Sequence, residues 1–135
     1  MLELRLGRVL PFGYAGKGAL ARLEALMSDP EMRLLDIRLS PRSRFYPAFQ
    51  QKALQARYGA RYQHIPDLGN LAYKEKGGIQ LANPEQGIEQ VRSYLEFGYD
   101  VILLCACSNY ETCHRRVVCE MIAARLPEIE MVKGV

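Results

Sequence analysis

Apolar residues recur along this chain in two rhythms, one near two residues and one between three and four. Leucine alternates with charge in LELRL (2–6), which predicts a strand. PFGYAGKG (11–18) is rich in glycine and reads as a turn-bearing loop. Leu20, Leu23, Leu26 and Met27 then recur at helical spacing, and SDP stops that helix. RLLDIRL (33–39) is a short apolar run with one embedded acid, as in a buried strand, and SPRSRFYP reads as a loop. Residues 47–58 favour helix, with Gly59 as its C-terminal cap. RYQHI (61–65) predicts a third strand. Segment 66–84 carries turn signals and little periodicity, and loops this long are often functional or mobile. Asn83, Pro84 and Glu85 mark a helix start; Ile88, Val91 and Leu95 form its apolar stripe, and Gly98 ends it. YDVILLCAC (99–107) is apolar on both faces, as a central parallel strand is. A helix from about Thr112 to Leu126 turns Val117, Val118, Met121 and Ile122 inward, and EIEMV (128–132) alternates like a last strand.

Strands thus alternate with helices. The pattern predicts an α/β fold: a single three-layer domain over residues 1–135, its sheet mainly parallel with about five strands and helices on both faces. At 135 residues the chain is long enough to bury a substantial core. Its 49% apolar and 24% charged residues are globular in balance. No apolar run approaches the roughly 20 residues of a membrane-spanning helix, and the N-terminus lacks a signal-peptide core. The expectation is a cytoplasmic protein, without membrane contact, whose four cysteines are reduced thiols. The net charge of +3 is mild, but Arg38, Arg42, Arg44, Lys52, Arg57 and Arg61 occupy 38–61 with no Asp or Glu among them. Such a run is a solvated face or a phosphate-attracting one. The oligomeric state leaves no mark in the pattern.

In open parallel sheets ligands bind beyond the carboxyl ends of the strands. That rule gathers the chemistry-bearing residues. Tyr14 and Lys17 follow the first strand; Asp36, Arg38, Ser43 and Arg44 end or follow the second; His64 and Asp67 end or follow the third. Cys105 and Cys107 end the fourth, and Cys113, His114 and Arg115 open the next helix.

Three readings of the sulfur-rich stretch stay open. In the first, Cys105, Cys107, Cys113 and His114 bind zinc, which thiolate and imidazole suit. The spacing C-x-C-x5-C-H is not that of a common zinc finger, and adjacent helical residues such as Cys113 and His114 diverge by about 100°. In the second, Cys107 or Cys113 is a reactive thiolate, favoured by the helix dipole and neighbouring cations, with His114 or His64 moving protons. In the third, the sulfurs simply pack, as mid-helix Cys119 is expected to do. Asp36 either pairs with an arginine because an unpaired buried charge is too costly or acts as a base. Arg38, Arg44 and Arg115 can hold an anion, and the helix start at 112–115 is a natural anion site. Neither a G-x-G-x-x-G fingerprint nor a P-loop is present, so no dinucleotide or nucleoside triphosphate follows.

LLDIRLSPRSRF, YQHIPDLGN and LLCACSNYETCHRRVV resemble, in that order, the motifs of the bacterial and phage family known as domain of unknown function 488. The resemblance runs from the Gly-Tyr-Ala-Gly-Lys turn to the CHR helix. Its motif positions here are Asp36, Arg38, Pro41, Ser43, Arg44, His64, Leu68, Gly69, Cys105, Cys113, His114 and Arg115. It implies a compact three-layer α/β domain and supplies no activity. Many relatives carry an acid two positions after the strand cysteine, where this chain has Cys107; a branch with the C-x-C form resembles it more closely.

The leading expectation is an enzyme with a Cys/His/Arg cleft at the carboxyl edge of the sheet, acting on an anionic substrate. That substrate is phosphate-bearing, of nucleotide or nucleic-acid class. Cys107, Cys113, His114, His64 and Asp36 are the candidate catalytic groups, and Arg38, Ser43, Arg44, Arg115, Tyr14 and Lys17 the candidate substrate contacts. The alternatives are a nucleic-acid-binding module built on segment 38–61 and a zinc-stabilised structural domain.

Overall fold

The run that is apolar on both faces is the spine of the sheet. In the computed structural model, which describes residues 5–75, 78–107 and 109–134, it forms β4 (Asp100–Cys105). β4 lies between β1 (Val9–Gly13) and β2 (Met32–Asp36), and β3 (Tyr62–His64) completes the order β1-β4-β2-β3. Every pairing is parallel. Alternation along β4 divides the core between two layers. Ile102 and Leu104 pack with α1 (Ala19–Met27) and α2 (Gln51–Tyr58). Val101, Leu103 and Cys105 pack with α3 (Pro84–Glu96) and α4 (His114–Arg125). Truncating Leu103 or Leu104 to alanine removes buried contacts on one layer and is expected to cost about 2–5 kcal/mol. No helix among the described residues is long and apolar enough to cross a membrane.

The expected architecture is present, with four strands among the described residues rather than about five. EIEMV touches the sheet through one parallel bridge, Val9 to Met131, flanked by Val9 N–H to Glu130 O at 2.9 Å and Val132 N–H to Val9 O at 2.8 Å. Its alternation does reflect burial, since Ile129 and Met131 pack on the α3/α4 layer. Val9 is the first residue of β1, so the tail meets that strand only at its start. The first strand is also displaced from its expected place. Residues 5 and 6 are not in a strand, 1–4 lie outside the described residues, and β1 instead takes Pro11, Phe12 and Gly13 from the expected loop. Proline is tolerated there because β1 is an edge strand, where a missing donor breaks no second ladder.

Segment 66–84 is organised around one side chain. Asn70 Oδ1 accepts from Ala72 N–H (3.0 Å) and Gln80 N–H (2.8 Å), its Nδ2 donates to Gly78 O (3.0 Å), and Asn70 bridges to Leu81. The described parts of the segment, 66–75 and 78–84, are therefore drawn together beside the carboxyl edge.

Candidate functional site

Register brings the strand ends together. Gly13 pairs with Cys105, and Asp36 with both Leu104 and His64. Because side chains alternate across a strand, the edge carries two different clusters, one toward each helical layer.

Toward α1 and α2 lies a charge network. Asp36 is fully buried and Arg38 is 5% exposed. Two residues apart on extended backbone, they share a side, and the guanidinium closes on the carboxylate through Nε–Oδ1 (2.8 Å) and Nη2–Oδ2 (2.6 Å). Arg38 N–H donates to Oδ1 (3.1 Å), and the Tyr62 hydroxyl to Oδ2 (2.5 Å), so the carboxylate takes four hydrogen bonds. Arg38 Nη1 donates to the Tyr14 hydroxyl (3.1 Å), whose ring stacks on Phe49 at 4.5 Å. His64 Nε2–H donates to Arg38 O at 2.7 Å. Burial alone would lower the Arg38 pKa, but the ion pair with Asp36 outweighs it and holds the group above its ordinary value. Burial and the adjacent Asp36 carboxylate push the Tyr62 phenol up.

Toward α3 and α4 lies the sulfur cluster. Asn109 Oδ1 accepts from Glu111 N–H (3.0 Å), starting a tight turn over Tyr110–Thr112 that delivers Cys113 as the N-cap of α4. Cys113 has extended backbone (φ −96°, ψ 147°), and Arg115 N–H points to its sulfur at 3.5 Å. This removes the expected divergence from His114, which assumed that both residues were helical. Cys105 Sγ lies 3.0 Å from Cys113 Sγ, 3.6 Å from Cys107 Sγ and 3.6 Å from His114 Nδ1; Cys113 Sγ lies 3.9 Å from that nitrogen. His114 Nε2–H donates to Ile37 O (2.8 Å), which fixes the ring and turns Nδ1 to the sulfurs.

Cys105, Cys113 and His114 are buried, with ligand atoms all within 4.8 Å of one another, and can hold a metal ion. Cys107 is exposed. Hydrogen bonds from Cys105 and Cys113 pull its thiol well below the usual range, with His114 and Arg115 adding favourable charge. The two donors move the other way: Cys105 is pushed up to about 11 and Cys113 higher still. Burial disfavours charge on His114, yet its hydrogen bonds to Cys113 and Ile37 O hold its pKa above the ordinary value. Cys119 packs in the α3/α4 core, as expected.

A cavity of about 540 Å³ joins the two clusters. Tyr14 and Arg38 line it from one side, Cys105, Cys107 and His114 from the other. Cys113 is buried behind them, and Asp36 lies beneath Arg38. Arg42, Asn70, Tyr73 and Glu75 are also on the wall; Arg42 belongs to the basic run noted from sequence, and the other three fall in the long segment 66–84 without having been singled out. The remaining expected contacts are elsewhere. Arg44 lies over the exposed Phe45 ring (5.8 Å), Lys17 is exposed in the loop after β1, and neither lines the cavity. Ser43 is buried, its carbonyl accepting from Gln50 Nε2 (2.6 Å). Arg115 passes beneath the loop, donating to Cys107 O at 2.7 Å, and opens on a second cavity. Of the basic run, Arg57 pairs with Glu24 and Arg61 caps the carbonyls of Met27 and Asp29.

A family model described as "Domain of unknown function DUF488" matches residues 20–122. The match covers the sulfur cluster and the charge network except Tyr14, which lies in the Gly-Tyr-Ala-Gly-Lys turn before it. No curated protein and no solved structure matches. With most of its length in that match, including Asp36, Arg38, His64 and the Cys-His cluster, the chain belongs to the DUF488 family, a domain of unknown function.

Proposed function

We propose that this chain is an enzyme whose reacting group is the Cys107 thiolate and whose substrate is a small anionic, phosphate-bearing molecule of nucleotide or nucleic-acid class. The observation that carries the reading is the place of Cys107: an exposed sulfur on the wall of a 540 Å³ cavity, backed by the buried Cys105 thiol at 3.6 Å. A thiolate is the nucleophilic form of cysteine. Arg42 supplies positive charge for the substrate anion, with Glu75 the acidic residue on the same wall, and Tyr14 and Tyr73 supply flat apolar surface. In the first step the sulfur electron pair forms a bond to the electrophilic atom while the leaving group departs with its own pair. Water then displaces the sulfur, releasing a proton and restoring the thiolate.

Iodoacetamide labelling read by peptide mass tests the assignment. Cys107 is expected to label first and Cys105, Cys113 and Cys119 only on unfolding. Cys107→Ser is expected to abolish turnover of any phosphate ester found in a substrate screen. Equal labelling of all four thiols, or full turnover by the serine variant, defeats the reading.

A second reading, a zinc site formed by Cys105, Cys113 and His114 with Cys107 as fourth ligand, is favoured by the spacings. A tetrahedral zinc ion separates two thiolates by about 3.8 Å, and a thiolate from an imidazole nitrogen by about 3.6 Å. Three of the four observed separations lie near those values; the Cys105–Cys113 separation of 3.0 Å must open. The Ile37 carbonyl on the far nitrogen of His114 is the partner a ligating histidine usually has. When bound, the ion would hold these thiolates together and lower the charge of the cluster. Cobalt(II) substitution separates the readings: sulfur-to-cobalt charge-transfer absorption that protects Cys107 from iodoacetamide supports zinc, and free labelling with no such absorption supports the nucleophile.

A further inference from the structure

Arg115 was grouped with Arg38 from sequence, and the fold sets it in a different place. Its guanidinium runs past β1 into a cavity of about 370 Å³ on the far side of the Cys107 loop. The passage exists because position 13 is glycine: a Cβ there would sit 1.8 Å from Cys107 O and 2.8 Å from Arg115 Nη1. Arg22 reaches the same cavity from α1, its guanidinium carbon 5.3 Å from the Phe12 ring centre. Lys133 reaches it from the tail that Val132 N–H ties to Val9 O. Lys133 and Arg115 flank one ring, Tyr110, at 4.8 and 5.7 Å from its centre.

Three cations therefore converge, and none of the described residues lining this cavity is an aspartate or glutamate. Like charges brought together at a partly enclosed surface repel one another unless an anion lies between them. Arg115 is 4% exposed, so its charge is held largely out of water beside this cavity.

We infer that the cavity among Arg22, Arg115 and Lys133 is a second, separate anion site that takes a phosphate-class oxyanion. Guanidinium suits phosphate through its fixed fork of donors, with the lysine adding a point charge. The site needs neither the reactivity of Cys107 nor a metal, so it stands or falls independently of the thiol cavity. It is joined to that cavity through the bond from Arg115 to the Cys107 carbonyl.

Calorimetric titration of the full chain with inorganic phosphate at low salt tests the inference. Arg115 is buried and its replacement can disturb folding, so the decisive variants are at the exposed Arg22 and Lys133. Arg22→Ala and Lys133→Ala are each expected to weaken phosphate binding by about tenfold, the loss of one charge-assisted contact. Arg57→Ala, at an exposed cation that lines neither cavity, is expected to leave the affinity unchanged. A phosphomonoester such as glycerol phosphate binding as tightly identifies the phosphoryl group of an organic ligand as the occupant; weaker binding identifies free phosphate. Phosphate binding unaffected by Arg22→Ala and Lys133→Ala, weakened equally by Arg57→Ala, or absent, overturns the assignment.

Discussion

The two clusters at the carboxyl edge share a strand register and differ in how completely they satisfy themselves. Around Asp36, a buried carboxylate meets two guanidinium donors, a backbone N–H and a phenol. Charge and hydrogen-bonding capacity close within the protein. Around Cys105, three sulfurs and an imidazole nitrogen converge with only weak sulfur hydrogen bonds between them. Thiols are poor donors and acceptors, so this cluster retains its capacity to bind or react. The contrast teaches that two buried polar clusters can differ in how much bonding capacity they leave unused. Arg38 and Asp36 are the most buried ion pair in the described structure, with the least chemistry left to offer.

Breaking the closed cluster is expected to have the largest effect. Asp36→Ala leaves the Arg38 charge buried and unpaired, and urea denaturation should record a loss of about 3–5 kcal/mol. Filling the open cluster comes next. If the zinc reading holds, zinc at 100 times its dissociation constant raises stability by about 2.7 kcal/mol. Cys105→Ser then removes that gain, and thermal melts with and without chelator measure it.

Tyr62→Phe sharpens the contrast from the other side. It deletes one of four bonds to Asp36, and about 1–2 kcal/mol should be lost at neutral pH. Because the phenol pKa is raised on folding, the neutral form is the one that folding favours. Its contribution is complete below the ordinary phenol pKa near 10 and is lost as pH rises toward the folded value. Wild type is therefore expected to lose stability above about pH 10 more steeply than the phenylalanine variant. The smallest effect belongs to Cys107→Ser. The side chain is exposed, and stability without metal should stay within about 0.5 kcal/mol of wild type, while labelling at position 107 disappears. A large loss on this substitution in metal-free protein would mean that the sulfur cluster is structural after all.

Much of the edge was legible because strand geometry is local. DIR places Asp36 and Arg38 two apart on extended backbone, so their sharing a side needed no tertiary knowledge. The apolar run of β4 announced a central strand, and parallel topology then sent Cys105, His64 and Asp36 to one rim. Cys113 and His114 were harder. Their convergence depends on Cys113 being the cap rather than a helical residue, which the turn at Tyr110–Thr112 sets. Arg22 and Lys133 were not legible at all, since they belong to a helix and a tail that meet only across the edge strand.

What the sequence by itself determined is the alternation of elements, the hydrophobic spine and the end of the sheet where reactive side chains collect, because these follow from periodicity and strand direction. Only the tertiary structure decided which charges cancel and which stay available. It paired Arg38 with Asp36, diverted Arg115 past Gly13 into its own cavity, and reduced the last strand to a bridge at Val9. Those outcomes depend on ångström-scale distances between side chains far apart in the chain, and no local pattern encodes them.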